Sequence, residues 1–231
     1  MSNQHRRPSF GRDSIWLASA DVVAVLLAFV GQLILARALL SESYGLFVIA
    51  IDLFATLFLL LDLGLPTLLA RDGPRHPSAI WSGMLRIYRL QGIAVILFAP
   101  IVVAIVLSQS THDILMLLGA GVALVHIASY APRTALRAAG DARFESLTKV
   151  IERLVTTIGY AALFSAASTD VVAYATVFLI GAIVGLLLAL LLVQRPVVLV
   201  AGVVPRAFTG REVEVVDLVR VRRLAGLPVL W

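Results

Sequence analysis

The chain has 231 residues, of which 60% are hydrophobic and 14% charged, against about 45–50% apolar and 25% charged in an ordinary soluble domain. That leaves too little polar surface to cover one water-soluble core, so the sequence reads as an integral membrane protein. There is no cysteine, which excludes a disulfide framework, a thiolate metal site and a cysteine nucleophile. The net charge of +5 sits in short basic clusters between apolar runs, which is how topology determinants are placed; a nucleic-acid partner is not expected.

A spanning helix needs about 20 mostly apolar residues. Six windows meet this, at 14–39, 45–70, 84–107, 113–136, 146–168 and 170–193. The first is too long for the apolar core of a signal peptide and reads as a retained span. The expected fold class is therefore all-α, a polytopic membrane bundle of six transmembrane helices. A cytoplasmic arm at 1–13 precedes the bundle at 14–193. A tail at 194–231 follows, with an amphipathic surface helix at 211–224 and then the start of an incomplete seventh span.

All but one of the 19 basic residues fall in the arm, the 2–3 connection, the 4–5 connection or the tail, with the borders of those segments. The connections at 40–45, 108–113 and 167–170 hold none. By the positive-inside rule both termini are cytoplasmic and the spans even in number, which predicts a multi-pass protein of the inner (cytoplasmic) membrane.

Polar residues inside spans are costly and therefore informative. Asp21 and Gln32 stand eleven positions apart in the first span, within about 20° of one helical face; Ser14 shares that stripe. They read either as the lining of a watered cavity or as a buried carboxyl with a hydrogen-bonded neighbour. Asp52 in the second span is a cavity candidate, whereas Asp62 precedes Gly64 and Pro66, where the helix should break or kink. His126, mid-span, reads as a hydrogen-bonded helix contact before a proton relay. Gly181 and Gly185 read as close helix packing.

Glu145, Lys149 and Glu152 have the spacing of an interfacial ladder along one helix. The basic clusters are expected to meet anionic lipid headgroups, with pyrophosphate recognition as the sharper alternative. No metal-ligand spacing or phosphate-cradling loop is present, so no metal and no cofactor are expected. No loop is long enough to carry an enzyme's carboxylates, and the chain is not expected to be an enzyme.

The run Ala36-Arg37-Ala38-Leu39-Leu40-Ser41-Glu42-Ser43-Tyr44-Gly45-Leu46-Phe47 resembles the signature that closes the first span and opens the second in polysaccharide flippases. These belong to the multidrug/oligosaccharidyl-lipid/polysaccharide exporter superfamily. Asp62-Leu63-Gly64-Leu65 with Ala70-Arg71, Arg137-Ala138-Ala139-Gly140 with Phe144, and Leu224-Ala225-Gly226-Leu227-Pro228 are similar to later anchors of that family, in its order. A plainer reading makes Gly45 a tight bend and Tyr44 an interfacial anchor.

The resemblance implies a flippase of lipid-linked oligosaccharide for cell-surface polysaccharide, including lipopolysaccharide, working by alternating access between two six-span bundles. It implies that Arg37 meets the anionic headgroup and that Asp21, Gln32 and Asp52 line the sugar path. It matches the N-terminal bundle only, so a truncated or half transporter is expected, paired with a second half or with itself. An ion-coupled multidrug-type exporter and a non-transporting membrane remnant are the alternatives.

Overall fold

The computed structural model describes residues 10–62, 64–76, 79–108 and 112–207. The arm through residue 9, the helix expected at 211–224 and the anchor at 224–228 lie outside the described residues. The chain runs as α1 (Phe10–Ala38), α2 (Ser41–Asp62), α3 (Leu65–Asp72), a single 3-10 turn (Gly73–Arg75), α4 (Ile80–Ser108), α5 (Asp113–Ala138), α6 (Ala142–Ser165) and α7 (Val171–Ala207). Among the described residues there is no strand.

Five helices are long and apolar enough to cross a membrane, at Ala18–Ala38, Ser41–Leu59, Ile80–Ser108, Asp113–Ala138 and Val171–Val193. This is the architecture of a multi-pass membrane helix bundle. The sixth expected span is α6. It is long enough, at about 36 Å for its length, but Lys149, Glu152 and Arg153 in its middle keep it short of the same apolarity. Its charges are answered by neighbouring helices, as described below.

Two further boundaries differ from the sequence reading. The second window, 45–70, is split, because Gly64 takes a left-handed φ of 67° and ends the path of α2, and Pro66 then starts α3 where no N–H is needed. At the other end, α7 does not stop at residue 193; its backbone stays helical through Pro196 and Pro205 to Ala207. Each proline removes one helical hydrogen bond, which a long apolar helix absorbs. Gly45, expected to bend the chain, lies inside α2; the turn is at Leu39 and Leu40.

These two glycines make a paired prediction. Gly64→Ala should cost about 1–2 kcal/mol because an L side chain is strained in that conformation. Gly45→Ala has open space around it and should be neutral or stabilise by up to about 1 kcal/mol. Thermal unfolding in detergent reads both, and equal losses at the two sites would refute the assignment.

The core has two clusters. The larger gathers Phe47, Ala50 and Phe54 of α2, Leu115, Met116 and Ala123 of α5, and Tyr160 and Tyr174 of α6 and α7. The smaller packs Leu69 of α3 and Ile80, Met84 and Ile87 of α4 against Ala131, Ala135 and Leu136 of α5. Half of the most apolar stretch of α5 is buried but only 6% of that of α4, so α5 is the central post and α4 stands at the periphery. The remaining apolar side chains, such as Phe29, Ile96, Leu107 and Leu191, face outward, as they do where lipid is the solvent.

Pro132 explains one fastening. It cannot donate to the carbonyl of Ala128 four residues earlier, and the hydroxyl of Tyr88 on α4 donates to that carbonyl instead, at 2.8 Å. α1 is joined to α2 by two residues yet packs chiefly along α6. There Thr157 Oγ1 lies 3.0 Å from the Leu27 carbonyl oxygen and 2.8 Å from that of Arg153.

Candidate functional site

Arg133 and Arg137 lie four residues apart on α5, one above the other. After the tight turn at Gly140, where φ is 87°, Glu145 and Glu152 come up on the facing side of α6. The two helices run antiparallel, so each arginine meets a carboxylate. Arg137 pairs with Glu145 through two hydrogen bonds, and Arg133 Nη2 donates to Glu152 Oε2 at 2.5 Å.

The second oxygen of Glu152 is 2.9 Å from His126 Nε2. Lys149 lies between, 3.3 Å from Glu145 and 3.2 Å from Asp21 on α1. Glu145 and Glu152 are each only 2% exposed and Arg133 7%. These are interior ions held by partners.

The ladder expected along one helix face is therefore a cross-helix network. Lys149 keeps its bond to Glu145, but Glu152 turns inward to α5. Arg133 and Arg137, expected to face lipid headgroups, are spent on protein carboxylates. His126 is a hydrogen-bonded helix contact as expected, and its ring also stands edge-on to Phe178 of α7 at 5.7 Å.

Gly185 closes the network from α7: a Cβ there would lie 2.7 Å from Glu152 Oε2 and 2.8 Å from Arg133 Nη2. Gly181 sits as tightly over Thr156. The small-residue pair is a packing motif whose purpose is to let α7 cover an ion pair.

Between α1, α5 and α6 this network opens into a cleft of about 350 Å³. Its polar wall is Asp21 from α1, His126, Tyr130 and Arg133 from α5, and Lys149, Glu152 and Arg153 from α6. Three cations face two carboxylates. Arg133 Nε is buried without a hydrogen-bond partner. Arg153 makes no ion pair among the described residues; its guanidinium stacks 5.7 Å over Phe178. Chemically the cleft is suited to holding an anion with planar, directional donors. No group of His, Asp and Glu among the described residues could hold a metal ion.

Of the four residues singled out in the sequence, Asp21 lies in the cleft, with its side chain 54% exposed. Gln32 lines a narrow continuation of it that shares Ala28 and Arg153, and its Oε1 accepts a hydrogen bond from Tyr44 at 3.0 Å. Their common face on α1 is as the eleven-residue spacing predicts.

Arg37 is exposed in the last turn of α1, outside the cleft. Asp52 is exposed on α2 in a separate shallow groove with Val48, Leu53 and Thr56. The residues missed were Arg133, Glu152 and Arg153. For Arg133 and Glu152 the sequence holds only opposite charges on the two sides of the Gly140 turn, without their pairing, and for Arg153 it holds no such signal.

The chain matches, over residues 10–220, the family model described as polysaccharide biosynthesis protein. Neither the curated proteins nor the solved structures give a significant match.

Proposed function

We propose that this chain, which belongs to the polysaccharide biosynthesis protein family, helps carry a lipid-linked oligosaccharide across the cytoplasmic membrane, with its basic helix ends on the cytoplasmic side. The observation that carries this reading is the α1–α5–α6 cleft, where the unpartnered Arg133 Nε and the carboxylate-free Arg153 present donors to an anionic group. A pyrophosphate between lipid and sugar has that chemistry. The role is translocation without covalent chemistry.

A second helix bundle, from another copy or another half, is part of the proposal. Asp52 is exposed near the middle of the apolar stretch of α2, where a charge facing lipid costs about 2.5–3.5 kcal/mol, and Asp21 and Gln32 are exposed on α1. The polar faces of α1 and α2 are therefore best accounted for by an opposing protein surface across a watered space. On this reading Gln32, on the same face of α1, meets sugar hydroxyls, and Arg37 meets the headgroup at the far end of the path.

The test is polysaccharide export in cells whose chromosomal copy carries Lys149→Ala with Arg153→Ala. Both side chains are partly exposed, so folding should survive. Surface polysaccharide should fall by about tenfold, the effect of about 1.4 kcal/mol, while membrane levels of the protein stay unchanged. Wild-type export by this variant would overturn the assignment of the cleft, and dye efflux with normal export would favour a multidrug-type exporter.

A further inference from the structure

On the opposite face of α5 from the cleft, α3 and α4 enclose a second groove of about 430 Å³. Its floor is Leu65 and Leu69 of α3 with Ile87 and Leu90 of α4. Gly83 gives it depth, since a Cβ there would come within 2.9 Å of Leu69 Cδ1. At its rim stand His76 and Arg86, both exposed. Asp72 also lines the groove, but its carboxylate is held by Arg71 at 2.8 and 3.1 Å. Arg86 makes no hydrogen bond or ion pair among the described residues.

The groove lies where the apolar stretch of α4 begins at Ile80 and where α3 follows the end of α2. Hydrocarbon meets headgroups at such a depth, and a long arginine side chain reaches back along the helix to keep its charge there. An apolar slot ending at the Arg86 guanidinium has two chemistries in sequence, a chain and then an anion. With the carboxylate of Asp72 answered by Arg71, Arg86 is the positive charge that the groove's rim presents.

We propose that this groove holds one anionic glycerophospholipid, an acyl chain lying along Leu65, Leu69 and Leu90 and the phosphate between Arg86 and His76. The site is distinct from the proposed translocation cleft. The central helix α5 separates them, with Ala131, Ala135 and Leu136 turned to α3 and α4 and Arg133 turned to α6.

Trp81, packed against the same α3–α4 cluster, is a natural reporter. The full chain, with Trp16→Phe and Trp231→Phe, is placed in lipid nanodiscs containing phosphatidylglycerol or phosphatidylcholine with brominated acyl chains. Brominated phosphatidylglycerol should quench Trp81 at roughly fivefold lower mole fraction, as one cation at an anionic surface provides. Arg86→Gln should remove that preference, and Arg89→Gln should leave most of it.

Equal quenching by the two lipids would overturn the proposal, as it would if another protein segment filled the groove. So would a preference that survives Arg86→Gln, or one lost equally in Arg89→Gln. Relief of quenching by polyprenyl phosphate but not by unbrominated phosphatidylglycerol would also overturn it, by making the substrate's lipid the occupant.

Discussion

Glu152→Ala should destabilise the bundle by about 3–5 kcal/mol, the usual cost of removing one partner of a buried ion pair. Glu152 is 2% exposed and is the only carboxylate paired with Arg133 among the described residues. Its loss leaves a guanidinium that already has one unpartnered nitrogen with no counter-charge, and leaves His126 without its acceptor.

Glu152→Gln, which keeps a hydrogen-bond acceptor, should cost less. Arg133→Met combined with Glu152→Leu should recover much of the loss, because replacing both partners removes the desolvation cost with the attraction. Denaturant or thermal unfolding in detergent measures the cycle. A loss below about 1 kcal/mol in Glu152→Ala would mean that water reaches Arg133 and that the interior pair is not what holds α5 to α6.

The second large effect is expected at Gly119, where α5 crosses α2. A Cβ there would lie 2.9 Å from the carbonyl carbon of Ala50 and 3.2 Å from Phe54 Cδ2. The first obstacle is backbone in mid-helix and cannot rotate away. Gly119→Val should cost about 3 kcal/mol, the upper part of the usual range for overpacking, and should loosen α2 from the core cluster around Phe54.

Gly92 on α4 has nothing near it. Gly92→Ala should be neutral or stabilising, as a better helix former in an uncrowded position. Comparable unfolding midpoints for the two variants would show that the α2–α5 crossing relaxes without penalty.

The features legible in the sequence are the local ones. Apolar windows and basic connections follow from composition along the chain, and the break after Asp62 follows from Gly64 and Pro66 within three positions. The shared face of Asp21 and Gln32 needs only the helical repeat. The interior ions did not yield to the same reasoning. Whether Glu152 points along α6 to Lys149 or across to Arg133 depends on which face of α6 meets α5, and on Gly185 allowing α7 to close over the pair. That Asp52 and Asp21 line separate grooves is likewise a matter of helix packing, since α1 lies along α6.

That last arrangement has a consequence for biogenesis. Asp21 waits for Lys149, 128 residues later, and the Leu27 carbonyl for Thr157, 130 residues later. At roughly 5–20 residues per second of synthesis, the first helix spends on the order of ten seconds in the bilayer before its main neighbour leaves the ribosome. Nascent chains halted before α6 should therefore hold α1 without its principal packing partner, exposed to quality-control proteases for as long as the stall lasts.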